Sequence, residues 1–292
     1  MPHIESRWTQ PPQPPAPHTP CISKRVTLLS SVLSAYRKAR TAPKLIALLA
    51  ALALAPTLAA QQQIHVSAAA DLRPVFELLA PQFEQATHIR LLISYGSSSE
   101  LATQILNGAP SDIFFSADFF YPEKLVAAKL TDSLNPTEYA SGTLVLWAPK
   151  NSPLQPLSLD KVTDARVKHI AIANPDHAPY GRAAVEALKT MKVYPQVVTN
   201  FVIAENVNQA AQFAESGNAG LAVISQTLAI TPRMQATGTF LPFEPHSYTG
   251  IHQFAVIMSK SKHRDEAHRF LDFILSTEVQ SQLPKLGLTP IK

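Results

Sequence analysis

Hydrophobic residues along this chain follow two alternating patterns from about Ile64 onward. Short and almost uninterrupted apolar runs, such as residues 64–70, are typical of strands that are buried on both faces. Most of these runs precede a segment in which apolar residues recur every three to four positions, the period of an amphipathic helix. Because strands alternate with helices in this way, the pattern predicts an α/β protein.

The pattern also predicts individual elements. Strands are predicted at residues 64–70, 89–95, 112–117, 143–147, 167–173, 202–204, 221–225 and 254–258. Helical apolar faces lie within residues 72–83, 101–106, 181–191, 207–214 and 267–274. Ser97 and Glu100 have the spacing of a capping box, which makes Ser98 and Ser99 the first helical residues. Pro81 lies inside the first predicted helix and is expected to kink or divide it.

The first sixty residues have the features of a targeting segment. Basic residues between positions 37 and 44 precede an apolar run at 45–55, and small residues follow. This order is typical of a secretory signal, cleaved near Ala59 or Ala60, and predicts export to the periplasm. The alternative is a membrane anchor, but the run is far shorter than the ~20 residues of a spanning helix. Residues 11–20 contain six Pro and are interpreted as an unstructured extension.

The distribution of charge and of cysteine excludes several classes of function. The whole chain has a formal charge of +4, but residues 1–60 hold seven Lys or Arg and one acidic residue. The remainder has 18 basic and 20 acidic residues, so no basic surface predicts binding to nucleic acid. The single cysteine, Cys21, precedes the apolar run. The predicted mature chain therefore has no disulfide, no catalytic thiolate and no cysteine-based metal site.

Catalytic motifs are missing from the sequence. It contains no phosphate-binding loop, no dinucleotide fingerprint and no pair of histidines at zinc-protease spacing. Ser98 lacks the glycine that a nucleophile elbow has two residues later, which disfavours a secreted α/β hydrolase. A transcription regulator would need a basic DNA-binding helix pair, but residues 1–60 are Pro-rich and signal-like. We therefore predict a binding protein that is not an enzyme and carries no cofactor.

Small residues mark four transitions from strand to helix, which end near Asp71, Ser98, Tyr180 and Val207. The first turn of a helix has unpaired N–H groups and the positive end of the helix dipole, so each transition can hold an anion. If several converge, they would bind a small oxyanion without any Lys or Arg. The alternative is that these serines only cap helices, as happens in many α/β proteins. The residues alone leave both interpretations open.

Five segments resemble the periplasmic molybdate-binding proteins of bacterial ABC importers, which have a type II periplasmic binding fold. These segments are residues 66–72, 95–99, 108–118, 173–181 and 205–207, and the similarity extends in order over residues 64–292. The resemblance implies two α/β lobes joined by two hinge crossings, held by residues 143–147 and 254–258. The implied division is an extension and signal at 1–60, a first lobe at 61–142 and 251–292, and a second lobe at 143–250.

The same resemblance implies a ligand and a set of residues that bind it. The ligand is molybdate or tungstate, bound as an oxyanion without a metal cation and delivered by a monomer to a membrane permease. Sulfate or another small oxyanion is the alternative, since sequence does not give the radius of the cavity. The implied anion-binding residues are Ala70, Asp71, Ser98, Tyr180, Val207 and Ser225. Ser225 stands where some members supply a longer Tyr hydroxyl, so its contact with the ligand stays open.

Asp71 departs from the family pattern, because many members carry Ser, Thr or Asn there. A carboxylate directed at a dianion would repel it. We therefore expect the Asp71 side chain to turn away and cap the helix that begins at Leu72, since Asp is a favourable N-cap residue. In that geometry Asp71→Asn would change stability little. If the carboxylate faces the ligand instead, binding should strengthen as the pH falls.

Overall fold

Two β-sheets organise residues 62–291, the part of the chain that the computed structural model describes. The first sheet has the strand order β11-β4-β10-β3-β1-β2 and the second the order β7-β6-β8-β5-β9. The strands are β1 Gln63–Ala69, β2 Arg90–Gly96, β3 Ile113–Ser116, β4 Thr137–Gly142, β5 Leu144–Pro149, β6 Ile170–Ala173, β7 Phe201–Ala204, β8 Leu221–Ser225, β9 Gly238–Pro242, β10 Ile251–Ile257 and β11 Leu288–Pro290.

Helices connect these strands, as the alternating pattern predicts. A one-turn 3-10 helix, Ala70–Leu72, follows β1 and leads directly into the first α-helix. The α-helices are α1 Arg73–Thr87, α2 Ser98–Leu106, α3 Phe120–Ala127, α4 Pro179–Thr190, α5 Tyr194–Val197, α6 Val207–Glu215, α7 Gln226–Ala229, α8 Pro232–Thr237, α9 Arg264–Leu275 and α10 Thr277–Gln282. Among the described residues, none of these helices is long and apolar enough to cross a membrane.

The chain passes between the two sheets twice. β4 ends at Gly142 in the first sheet, and β5 begins two residues later in the second. The chain returns to the first sheet through residues 243–250, which connect β9 to β10. This second crossing therefore lies before residues 254–258, the segment that was predicted to hold it. The first sheet thus contains strands from both ends of the described chain, and the second only strands from the middle. The lobe boundaries at residues 142 and 250 stay predictions.

Each sheet packs against its own apolar core. In the first, aromatic rings of helices α1 and α9 meet β3: the Phe76 and Phe115 rings are 5.1 Å apart and Phe76 and Phe270 5.5 Å apart, both edge-to-face. In the second, the buried Trp147 ring lies against Gly238, and its Nε1 donates a hydrogen bond of 3.3 Å to the carbonyl of Met234. These cores hold the strand ends that carry the site.

Several predicted elements differ from the structure in detail. Helix α1 continues through Pro81 and is not divided. Both Pro81 and Glu77, whose carbonyl loses its helical partner, are exposed, so water can bond that carbonyl instead. The strand predicted from 167 begins at Ile170, and the helix predicted from 181 begins at Pro179. The predicted signal and Cys21 lie outside the described residues.

Candidate functional site

A small cavity lies between the carboxyl ends of strands from the two sheets. Its free volume is about 10 Å³, roughly the space that one water molecule needs. Its lining residues are Ala69, Ala70, Asp71, Gly96, Ser97, Ser98, Ala117, Ala178, Pro179, Tyr180, Asn206 and Val207. The structure therefore brings five of the six predicted site residues together and leaves Ser225 outside the lining.

The cavity is surrounded by the first turns of helices. Ser98 is the first residue of α2, Val207 is the first of α6, and Tyr180 follows Pro179 at the start of α4. Within residues 62–291, no hydrogen-bond acceptor is bonded to the backbone N–H of Ser98, Tyr180 or Val207. Three unpaired donors and three positive helix ends are therefore available to an anion.

Capping side chains at the starts of α2 and α6 bind later donors and leave the first N–H unpaired, whereas α4 begins without a side-chain cap. The Ser97 hydroxyl accepts a hydrogen bond of 3.3 Å from the backbone N–H of Glu100, so the predicted cap is confirmed. The Asn206 Oδ1 accepts bonds of 3.1 Å from the N–H groups of Asn208 and Gln209. Each cap binds donors further along its helix and leaves the first N–H of the helix free.

Ser98 contributes its side chain as well as its backbone. It is 1% exposed, and its Oγ accepts a hydrogen bond of 3.1 Å from the backbone N–H of Ala117. Because a hydroxyl can accept and donate at once, the Ser98 hydrogen remains available to a ligand. The orientation agrees with the prediction that Ser97 caps the helix while Ser98 faces the cavity.

Asp71 does not cap a helix, and the prediction that it does is wrong. No side chain caps either the 3-10 helix or α1. The Asp71 carboxylate is instead buried, and its Oδ2 accepts hydrogen bonds of 3.1 Å from the Tyr180 hydroxyl and 2.6 Å from Gln253 Nε2. Two side-chain donors thus satisfy Oδ2 in place of the backbone N–H groups that a cap would have bound.

A buried polar network extends from Asp71 toward the two crossings. Gln253 lies in β10, where its Oε1 accepts a bond of 2.7 Å from the Tyr139 hydroxyl of β4. Gly142, the last residue of β4, leaves room for the Tyr180 hydroxyl, since a Cβ there would lie 2.1 Å from that oxygen. The network thus joins α4, next to the second sheet, to two strands of the first.

Burial dominates the electrostatics of this network. Desolvation raises the pKa of Asp71 from 3.8 to about 6, although the hydrogen bonds from Gln253 and Tyr180 oppose this rise. Burial, together with the charge of Asp71, also raises the pKa of the Tyr139 and Tyr180 hydroxyls well above their usual value. Among the described residues, no Lys, Arg or His forms an ion pair with Asp71.

Ser225 has a different place from the one that the resemblance implied. It is fully buried at the end of β8, and its Oγ lies 2.8 Å from Thr227 Oγ1. Thr227 in turn donates a hydrogen bond of 2.7 Å to the backbone carbonyl of Asp71. Ser225 therefore supports the wall of the cavity without lining it.

Contacts between residues that follow strands of the first sheet and residues at the start of α4, next to the second sheet, lie beside the cavity. The N–H of Ser99 donates a bond of 3.3 Å to the carbonyl of His177, and Asp118 forms an ion pair with Arg182. Arg182 also donates a bond of 3.3 Å to the Tyr121 hydroxyl. His177, a lone histidine in a predicted turn, thus takes part only through its backbone.

Sequence reasoning missed the side chains that hold Asp71. Gln253 is fully buried in β10 beside the exposed His252, so the sequence showed only two adjacent polar residues before an apolar run. Tyr139 and Gly142 lie in β4, a strand without a clear apolar pattern. No group of three potential metal ligands occurs within residues 62–291. What the site presents is a set of neutral donors together with one buried carboxyl group.

Comparisons with known proteins identify relatives of this chain. The sequence profile described as bacterial extracellular solute-binding protein matches residues 64–289. The molybdate-binding protein ModA of Azotobacter vinelandii is 33% identical over 227 residues, which are 77% of this chain and 89% of that protein. The solved periplasmic molybdate-binding protein of Azotobacter vinelandii has a TM-score of 0.74 at 30% identity and covers 78% of this chain and 100% of its own.

A more distant structure shares the fold alone. The sulfate-binding protein SubI of Mycobacterium tuberculosis has a TM-score of 0.66 at 15% identity, and the match covers 79% of this chain and 88% of that one. With these two solved structures, the prediction of a two-lobed α/β periplasmic binding fold is confirmed.

Proposed function

The chain belongs to the bacterial extracellular solute-binding proteins, and we propose that it captures molybdate or tungstate and delivers it to the permease of an ABC importer. The proposal is supported by relatives that are named as molybdate-binding proteins. Among the structural observations, the one that carries it is the convergence of three unpaired backbone N–H groups and the Ser98 hydroxyl on one small cavity.

The chemistry of these donors suits a small, fully deprotonated oxyanion. Neutral N–H and O–H groups pair with oxygens that have no proton, whereas a ligand hydroxyl would need an acceptor, which Asp71 Oδ1 offers only while that carboxyl group is ionised. A buried polar group without a partner costs ~1 to 3 kcal/mol, which disfavours protonated ligands. In this proposal Ala70, Asp71, Ser98, Tyr180 and Val207 surround the anion, and Ser225 supports the wall through Thr227.

Calorimetric titration of the protein with molybdate, tungstate, sulfate and phosphate tests the proposal. We expect molybdate and tungstate to bind tightly and with similar affinity, because they are similar in size and both fully deprotonated at neutral pH. Sulfate is smaller and should bind more weakly, because fixed donors cannot all reach it. Sulfate binding as tight as that of molybdate would overturn the assignment in favour of a sulfate-binding protein.

Other parts of the proposal concern the cell rather than the cavity. We propose that residues 1–60 direct export to the periplasm and are removed near Ala59 or Ala60. The mature protein then works as a monomer, without a cofactor and without nucleic acid, and it binds rather than transforms its ligand. Its partner is the membrane permease of the importer.

A further inference from the structure

The two oxygens of the Asp71 carboxyl group have different surroundings. Oδ2 accepts hydrogen bonds from the Tyr180 hydroxyl and from Gln253 Nε2. Oδ1 is buried and has no hydrogen-bond partner among residues 62–291. Because Asp71 lines the cavity and is 1% exposed, Oδ1 has neither a protein donor nor bulk water as a hydrogen-bond partner.

We propose that Asp71 carries a proton on Oδ1 in the ligand-bound protein and donates it to an oxygen of the bound oxyanion. At pH values above the range in which the Asp71 carboxyl group ionises, binding then takes up one proton from water. No covalent bond in the ligand changes. The identity of the anion rests on the proposed function. The proton on Asp71 is an additional property, which makes this residue a pH-dependent ligand donor.

The surroundings of Asp71 require this proton once a dianion binds. An ionised Oδ1 offers only lone pairs, so it would repel a ligand whose oxygens are also acceptors. The side chains that face Asp71 are Tyr180 from α4, Tyr139 from β4, Gln253 from β10 and Thr227 from α7. None of them carries a positive charge that could screen the repulsion. A proton on Oδ1 turns the same atom into a donor.

The ligand-free protein is already close to this state. Burial raises the pKa of Asp71 to about 6, so a small shift in free energy protonates it near neutral pH. A nearby dianion raises that pKa further, because it favours the neutral form of the carboxyl group. Ligand binding and protonation therefore strengthen each other.

Affinity measured as a function of pH tests the inference. Molybdate binding to the protein is followed by calorimetry between pH 6 and pH 9, in two buffers with different enthalpies of ionisation. Above the pKa of about 6, the dissociation constant should increase about tenfold for each pH unit. The buffer dependence of the heat should give an uptake of about one proton at pH 8.

Asp71→Asn is the decisive variant. Its amide oxygen can keep the bonds from Tyr180 and Gln253, and its Nδ2 can donate from the position of Oδ1 at every pH. We expect affinity that is independent of pH, no proton uptake, and binding at pH 8 that is about 100-fold tighter than in the unmodified protein. Asp118→Asn is the control, because Asp118 is a second carboxylate that burial perturbs but that does not line the cavity. The molybdate affinity of this variant changes because Asp118 pairs with Arg182, but the tenfold increase in its dissociation constant for each pH unit stays.

The outcomes separate this inference from the proposed function. Tight molybdate binding with no pH dependence and no proton uptake would overturn the inference and leave the function standing. Affinity that depends on an added divalent cation instead of on pH would also overturn it. Absence of molybdate binding at every pH would overturn the proposed function itself. A proton count of zero on the unmodified protein overturns the inference even if a variant does not fold.

Discussion

The stability of the ligand-free protein should depend on Asp71 in a direction opposite to that of an ordinary salt-bridged aspartate. Burial raises its pKa from 3.8 to about 6, so the folded protein holds this proton more tightly than the unfolded chain. The resulting stabilisation is complete below pH 3.8 and is lost as the pH rises through about 6. The difference between the two pKa values corresponds to about 3 kcal/mol, since one pKa unit is about 1.4 kcal/mol.

Asp71→Asn removes this loss because an amide does not ionise. Near pH 4 the variant and the unmodified protein should be similarly stable, since both carry a neutral group at this position. At pH 8 the variant should be more stable by up to about 3 kcal/mol, because the unmodified protein then buries a charge. If Asp71 capped a helix, the same substitution would change stability little at any pH.

Urea denaturation without molybdate, followed by the fluorescence of the buried Trp147, measures this difference at pH 4, 6 and 8. Asp164→Asn is a matched control, because hydrogen bonds from Arg166 lower the pKa of that partly exposed carboxylate. Relative to the unmodified protein, the free energy of unfolding of this control should not increase as the pH rises. A difference between Asp71→Asn and the unmodified protein that stays constant from pH 4 to pH 8 would refute the reasoning.

Two further substitutions test the walls of the cavity. Ser98→Ala removes a hydroxyl donor, so molybdate affinity should fall about 10- to 150-fold. The free energy of unfolding should also fall by about 1 to 3 kcal/mol, because the Ala117 N–H loses its acceptor. Equal affinity of the variant and the unmodified protein in a calorimetric titration would contradict a role of Ser98 in binding. Gly142→Ala places a Cβ 2.1 Å from the Tyr180 hydroxyl and should cost about 1 to 3 kcal/mol in urea denaturation. Gly220→Ala is the control for that loss and should be tolerated, because a Cβ at this position would lie 3.9 Å from the carbonyl oxygen of His169, an ordinary van der Waals contact.

Local pattern was sufficient to predict the elements that bury a continuous apolar face. β3, β6 and β8 are wholly buried and β1 is mostly buried, and all four appear in the sequence as short apolar runs. β4, β9 and β11 were not predicted, because their residues are mixed and only partly buried. These strands form because neighbouring strands offer hydrogen bonds, which is a tertiary effect that no local window contains.

The candidate site divides in the same way. Helix starts depend on neighbouring residues, so the Ser97 cap and the first residues Ser98 and Val207 could be predicted from short segments. The orientation of Asp71 could not, because its partners Tyr180 and Gln253 are 109 and 182 residues away in the chain. A capping preference is a local tendency, and two long-range donors outweighed it.

The residue that completes the cavity also connects it to the crossings between the sheets. Tyr180 lines the cavity with an unpaired backbone N–H, while its hydroxyl donates to Asp71 on the opposite side. The backbone donor of Tyr180 therefore lines the same cavity as the donors of Ser98 in the arrangement in which the Tyr180 hydroxyl meets the carboxylate. Because a charged carboxylate accepts that bond more strongly than a neutral one, ionised Asp71 favours this closed arrangement while repelling the anion. Protonation weakens the first effect and removes the second, so the measured affinity reports the balance of the two.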